Sequence, residues 1–300
     1  MNGFVEDALE YFSSSHIFRP PPKDFACIFP IQRKYNKMVR TIDNHEIHVR
    51  LITPSGSKCT FDNYEKSNQI LVYAHGNATD VDAEQSFSEW LCHINNCNVI
   101  IFDYPGYGKS SGETPSICSM NSAAMAVICF VHEELKHDLH DIICVGKSLG
   151  SVAVLHCAAQ KEFSNLGGVF LISPIASAIR CLSICAHLPS TFVSSMDKYV
   201  IPNINNIKKV HCLVGIVHGK SDSVVPCSNG QELANHCPSW NRFPILIVGH
   251  PADHSNLEAV AGSLFIENFT KFCKAVEERS TRNKSLITND ADDLQSFFDM

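Results

Sequence analysis

Gly146-Lys147-Ser148-Leu149-Gly150 sets a serine between two glycines, directly after the apolar run Ile142-Ile143-Cys144-Val145 and directly before the small-residue run Ser151-Val152-Ala153-Val154-Leu155. A strand that passes into a helix this abruptly must turn tightly. A Cβ at either glycine would then collide with the neighbouring strand or helix. The turn lifts the Ser148 hydroxyl clear of the sheet at a helix N-terminus, whose dipole favours developing negative charge. A serine hydroxyl needs a base to become a nucleophile, and the base needs an acid to orient it. With this turn the expected order is serine, then an acid after a later strand, then histidine after the last strand. Asp222 fits the acid: it lies just past the run ending at Val217, in His218-Gly219-Lys220-Ser221-Asp222-Ser223-Val224-Val225-Pro226. The alternative for Asp222 is a turn or helix-capping role.

Two histidines compete for the base, His250 and His254, in Gly249-His250-Pro251-Ala252-Asp253-His254-Ser255-Asn256. His254 is the expected base, being deeper in the loop and just before the last helical pattern; His250 directly follows the strand and precedes proline, a position that suits a structural residue. An oxyanion hole needs the N–H after the nucleophile and a second N–H from the loop after an early strand. Leu149 supplies the first, and Asn77 or Ala78, in His75-Gly76-Asn77-Ala78, the second. His75 is read as bracing that loop. The sequon Asn77-Ala78-Thr79 is then a coincidence, since a glycan there would block the site.

Other motifs carry less. Gly108-Lys109-Ser110 imitates the end of a phosphate loop, but position 103, where that pattern needs glycine, is Asp103. His45/His48 and His137/His140 are each spaced i, i+3 without carboxylate or cysteine partners in register, so turn or solvated histidines are expected rather than metal ligands. Lys147, beside the nucleophile, fits either an anionic substrate or solvent.

The elements that must hold these residues are legible as short apolar runs that end in polar or glycine residues. Runs at 70–74, 98–102, 142–145, 169–172, 213–217 and 245–248 are apolar on both faces, as in strands of a parallel sheet covered by helices. Helical spacing fills most of the gaps: Phe87, Trp90, Leu91 and Ile94; Ala124, Val127, Ile128 and Val131; Leu257, Val260, Ala261 and Leu264, extended by Phe265, Phe269 and Phe272. Before them, 39–42 and 47–51 around Asp43-Asn44 read as a hairpin. The expectation is a mostly parallel, doubly wound α/β sheet with an antiparallel N-terminal hairpin. Residues 1–36 are read as irregular, 37–278 as the folded domain, and 279–300, with acids and no base after 285, as a mobile tail. The segment 175–207, with Ile179, Leu182, Ile184, Leu188, Phe192 and Val193, is expected to cap the pocket and suits an acyl chain.

Composition closes off other classes. The chain has 300 residues, 45% of them apolar and 18% charged, which is too much core material for a disordered chain, a collagen or a coiled coil. Its 24 basic residues against 31 acids give −7, arguing against a nucleic-acid partner. The 14 cysteines are scattered without a C-x-x-C pair, so neither a zinc ribbon nor a dithiol redox site is signalled, and a reducing compartment is expected. There is neither a basic-then-apolar N-terminal signal nor a run of the ~20 apolar residues that spans a bilayer. The chemistry calls for neither cofactor nor metal.

Taken together, His75-Gly76-Asn77-Ala78-x-Asp80, Asp103-Tyr104-x-Gly106-Tyr107-Gly108-x-Ser110-Ser111-Gly112, Gly146-x-Ser148-x-Gly150 and Ser173-Pro174 resemble serine alpha/beta hydrolases, and within them the alpha/beta hydrolase domain-containing protein 17 family, over roughly residues 37–275. The resemblance implies the alpha/beta hydrolase fold and thioesterase chemistry, the removal of palmitoyl groups from membrane-attached proteins. Carried over by position, Ser148 matches the nucleophile, Asp222 the acid and His254 the base. S-acylated proteins or small acyl esters are the implied substrates, with a cytoplasmic location and peripheral membrane contact. Three departures stand out: residues 4–25 lack the family's N-terminal cysteine cluster, Lys147 replaces its usual glutamine, and Asp253 replaces the glycine before the histidine, where an acid would favour imidazolium. Two alternatives remain open: a lipid esterase or serine aminopeptidase of the same fold, and a non-catalytic binding protein on a hydrolase scaffold.

Overall fold

The computed structural model of the chain describes residues 17–22, 35–178 and 201–298. Eight strands form one sheet: β1 (Asn36–Arg40), β2 (Glu46–Ile52), β3 (Ile70–Ala74), β4 (Asn98–Phe102), β5 (Ile142–Lys147), β6 (Gly168–Ile172), β7 (Leu213–Gly219) and β8 (Leu246–Val248). Their order is β1-β2-β4-β3-β5-β6-β7-β8. β2 is antiparallel to both β1 and β4, whereas β4-β3-β5-β6-β7-β8 are parallel throughout. The continuous apolar runs are strands buried on both faces, and the hairpin forms the antiparallel edge, as the sequence implied.

Residues alternate between two cores across the sheet. Val72 and Ala74 of β3 join one, Leu71 and Tyr73 the other. The first core is closed by α2 (Ile117–Cys129), α3 (Gly150–Ala158), α4 (Asn203–Ile207) and α5 (Ser228–His236). The second is closed by α1 (Gln85–Asn95), α6 (Leu257–Ala261) and α7 (Ser263–Phe298). The i, i+4, i+7 phenylalanines of α7 explain its seat: Phe265, Phe269 and Phe272 surround Phe170 of β6 at centroid distances of 6.0, 4.7 and 5.2 Å. Each such aromatic pair adds about 0.5–1.5 kcal/mol beyond the area it buries.

The structure departs from the sequence reading in three places. The first hairpin strand lies at Asn36–Arg40 rather than 39–42. Thr41 N–H donates to His45 O at 2.9 Å and Asn44 takes φ +65°, so the turn begins at Thr41 and leaves Ile42 fully exposed. α7 does not stop at residue 278: it runs on to Phe298, and just past the expected boundary Ser280 is buried, its hydroxyl donating to Asp141 Oδ1 at 2.9 Å. Two of the histidines expected at turns or in solvent are interior. His48 on β2 sits with Nδ1 2.9 Å from Asp103 Oδ2 and Nε2 2.8 Å from Asn36 Oδ1. His137 has Nε2 2.6 Å from the Tyr64 hydroxyl, and burial pushes its pKa down to about 4. Polar partners from other elements and loops let both rings enter the protein. The residues expected to cap the pocket, from Ile179 to Val193, lie outside the described residues.

Candidate active site

The turn after β5 has the geometry that its glycines require. Ser148 adopts φ +51°, a left-handed conformation that costs a non-glycine residue about 1–2 kcal/mol. A Cβ on Gly150 would stand 2.0 Å from Ala74 O, and one on Gly146 would stand 2.6 Å from Val154 Cγ2 and 2.8 Å from Ser151 Cα. Both glycines are therefore demanded by close approach, as expected. The turn is also tied down: Ser148 N–H donates to Ile172 O at 2.9 Å, while Ser148 O accepts from Ser151 N–H at 3.0 Å and from the Ser151 hydroxyl at 2.6 Å. Ser151 was not singled out in the sequence. It is fully buried at the start of α3, and its Oγ also accepts from Ile175 N–H at 3.0 Å, joining the turn to the segment after β6.

β5, β7 and β8 are parallel in one sheet, so the loops that leave them open on the same edge. His254, after β8, places Nε2 2.9 Å from Ser148 Oγ and Nδ1 2.8 Å from Asp222 Oδ2. Asp222, after β7, is almost wholly buried. Burial opposes its ionisation, yet hydrogen bonds from His218, from His254 and from the Val225 N–H outweigh that effect and hold the carboxyl well below its ordinary range. Its Oδ1 accepts from the N–H groups of Val224 at 3.0 Å and Val225 at 2.8 Å, leaving Oδ2 for the imidazole. An ionised Asp222 can only accept, so His254 donates from Nδ1 and presents the Nε2 lone pair to the serine.

His218, which the sequence offered only as part of a His-Gly pair, holds the loop that carries Asp222. It is fully buried, its Nε2 2.7 Å from Val225 O and 3.3 Å from Asp222 Oδ2. The carbonyl fixes the proton on Nε2, so the ring clamps the acid loop and shares its donor with the carboxylate. His250 is exposed and its Nδ1 is paired with the Ser221 hydroxyl, while the hydrogen bond to Ser148 comes from His254. Asp253, expected to favour imidazolium, is turned into its own loop. Its Oδ1 accepts from Ser255 N–H at 2.9 Å, the Ser255 hydroxyl at 3.0 Å and Asn256 N–H at 3.0 Å, and those bonds hold this carboxylate below its usual range.

The loop after β3 lies against the serine: a Cβ on Gly76 would sit 3.8 Å from Ser148 Cβ. Ala78 takes φ +55° and its N–H donates to Asn77 Oδ1 at 3.0 Å, so that donor is already engaged. Among the described residues, neither Asn77 N–H nor Leu149 N–H has an acceptor. His75 is buried, with Nδ1 2.8 Å from Gly76 O and Nε2 3.7 Å from Asp103 Oδ1, which suits a brace for the loop. The Asn77 Nδ2 that a glycan would need donates instead to Ile17 O.

The remaining motifs resolve into structural contacts. Lys147 Nζ lies 2.7 Å from Glu258 Oε1 of α6 and 4.9 Å above the Phe87 ring, so its charge is neutralised inside the protein. Lys109 N–H donates to Asp103 Oδ2 at 3.2 Å, its Nζ reaches Asp82 Oδ2 at 2.6 Å, and the Ser110 hydroxyl donates to Asp103 O at 2.8 Å. Among the described residues, no group of His, Cys, Asp or Glu could hold a metal ion. None of the described helices is long and apolar enough to cross a membrane.

Comparison with known proteins adds relatives to this geometry. The family described as serine aminopeptidase, S33 (Hydrolase_4) matches residues 65–206. The alpha/beta hydrolase domain-containing protein aho-3 of Caenorhabditis elegans is 30% identical over 223 residues, 74% of this chain and 62% of that protein. Human alpha/beta hydrolase domain-containing protein 17C is 30% identical over 209 residues, 69% of this chain and 58% of that protein. The matched region thus spans about three fifths of these relatives' length. Among solved structures, the Pyrococcus furiosus esterase Pf2001 superposes with a TM-score of 0.64 at 15% identity, covering 86% of this chain and 99% of that one. Mouse alpha/beta hydrolase domain-containing protein 10 gives 0.59 at 14% identity, covering 80% and 99%.

Proposed function

From a chain that has the alpha/beta hydrolase fold and is related to the domain-containing 17 proteins, we propose a serine hydrolase that cleaves acyl thioesters or esters, with S-acylated cysteine of proteins as its principal substrate. One observation carries the reading: a single imidazole bridges Ser148 Oγ at 2.9 Å and the Asp222 carboxylate at 2.8 Å.

In this reading His254 Nε2 takes the Ser148 proton as Oγ attacks the acyl carbonyl carbon. The carbonyl electron pair moves to oxygen, and that oxyanion is held by the N–H groups of Leu149 and Asn77. Ala78, an equal candidate on sequence grounds, has its N–H occupied by Asn77 Oδ1. Collapse of the tetrahedral species breaks the bond to sulfur, and the thiolate leaves with the proton from His254. A water molecule then gives its proton to Nε2 and attacks the acyl-Ser148 ester. Collapse returns the proton to Ser148 and releases the fatty acid. Asp222 stabilises the imidazolium at each stage without itself being protonated. The thioester preference rests on the family motifs, because fold and relay serve any activated acyl group.

The test is fluorophosphonate labelling of wild type and Ser148→Ala, followed by rates on a palmitoyl-cysteine peptide, a p-nitrophenyl ester and an aminoacyl amide. Labelling confined to Ser148, with the thioester turned over fastest, is the expected result. Equal labelling of Ser148→Ala would refute the nucleophile, and a chain that is neither labelled nor active would be a binding protein. Fastest turnover of the amide would move the substrate class to peptides.

A further inference from the structure

The short stretch Ile17-Phe18-Arg19 docks on the loop after β3, which carries the second oxyanion donor of the proposed function. Phe18 is buried (5% exposed) in the same core as Tyr107 and meets that ring edge-on at 6.4 Å and 74°. Next to it a closed set of hydrogen bonds surrounds the side chain of Asn77. Its Oδ1 accepts from Arg19 N–H at 2.8 Å, from the Tyr107 hydroxyl at 2.7 Å and from Ala78 N–H at 3.0 Å, while its Nδ2 donates to Ile17 O. Arg19 N–H also lies 3.2 Å from the Tyr107 hydroxyl oxygen.

The arrangement does two things to the backbone at 77–78. It fixes the Asn77 side chain from both ends, and through Oδ1 it engages Ala78 N–H, with Ala78 held at φ +55°. We propose that Ile17–Arg19 is a positioning strap for the oxyanion hole, selecting Asn77 N–H as the donor that faces Ser148. The strap acts through Asn77 and touches no reacting atom. Its hydrogen bonds to Asn77 come from main-chain atoms, so Phe18, which anchors it, is the side chain on which the strap depends. The inference rests on the serine hydrolase reading above, because a donor matters only where an oxyanion forms.

The experiment uses the full chain: wild type, Phe18→Ala, Phe18→Leu and Tyr107→Phe. Each is titrated with a fluorophosphonate at long times to count competent sites, then assayed for kcat and KM on p-nitrophenyl butyrate across pH. Removing an oxyanion donor outright costs ~100-fold or more in kcat, so its displacement in Phe18→Ala is expected to lower kcat per titrated site by about 10-fold or more. Loss of the one hydroxyl in Tyr107→Phe is expected to lower it by about 3-fold. In both, KM stays within about 2-fold and the acid limb of the pH–kcat profile does not move, while Phe18→Leu restores most of the loss. Affinity for a trifluoromethyl ketone, which forms an oxyanion at the serine, falls in step with kcat. Wild-type kcat per site in both Phe18→Ala and Tyr107→Phe, with only the number of sites reduced, would mean that the strap is merely structural and would overturn the proposal. Should Phe18→Ala fail to fold, Tyr107→Phe decides alone. A wild-type chain that is never labelled defeats the hydrolase reading and the strap together, and so is distinct from active sites that are insensitive to the strap.

Discussion

Replacing Asp222 by asparagine tests the relay where its electrostatics and geometry meet. Oδ1 of Asp222 is committed to the N–H groups of Val224 at 3.0 Å and Val225 at 2.8 Å, and an asparagine carbonyl oxygen can keep both. Its NH2 group then occupies the place of Oδ2 and points at His254 Nδ1, 2.8 Å away. Two donors cannot face each other there, so the imidazole must shift its proton to Nε2. That nitrogen would donate to Ser148 and could no longer accept its proton. The wrong tautomer in an otherwise intact site costs about 10⁴ in kcat, or about 5.5 kcal/mol of transition-state stabilisation. Initial rates on a p-nitrophenyl ester, normalised to folded protein, measure it. A variant that keeps more than about a tenth of wild-type kcat would refute the tautomer argument. Stability should report on the same group. The folded Asp222 carboxyl titrates below its ordinary value of 3.8, so its contribution is complete above that pH and is lost as the pH falls below it. The stability gap between wild type and Asp222→Asn should therefore close on acidification below about pH 4, which urea titrations at a series of pH values will show.

Three other outcomes are expected. Gly150→Ala drives a methyl to 2.0 Å from a backbone oxygen of β3, and since no flexible side chain can yield, it should destabilise by more than ~4 kcal/mol or prevent folding, read by thermal melts. His254→Ala should lower ester turnover by ~10³-fold or more, whereas His250→Ala, whose ring faces Ser221, should stay within about 2-fold; the reverse pattern would reassign the base. Lys147→Gln leaves the Glu258 carboxylate without its cation in a site where both side chains are mostly buried; a loss of about 1–3 kcal/mol in denaturant titrations, partly restored by adding Glu258→Gln, is expected.

The strands and the tight turn at Ser148 were legible because they rest on local rules. Two-faced burial makes Ile70–Ala74 or Gly168–Ile172 apolar at every position, and close approach makes Gly146 and Gly150 obligatory. The order serine, acid, histidine pointed to Asp222 and to two histidines, and the geometry sets His254, not His250, beside Ser148. What escaped the sequence was polar pairing across distant elements. His48 with Asp103, Lys147 with Glu258 and His218 with Asp222 each look like surface residues until the fold supplies a partner. The hairpin offset has a similar cause: alternation alone places Ile42 in a strand, but the hydrogen bonds of Thr41 and His45 start the turn before it. The first turns of α7 beyond residue 278 show no apolar periodicity because polar contacts hold them, Ser280 to Asp141 and Arg279 to Asn241 Oδ1 at 3.0 Å.

The histidine that faces Ser148 follows β8, the last of the described strands and the outermost on its side of the sheet. During synthesis, therefore, the Ser148 hydroxyl lacks that partner until a further 106 residues have been added and β8 has docked. The contact that couples Ser148 through His254 to Asp222 is thus completed only when the far edge of the sheet has folded.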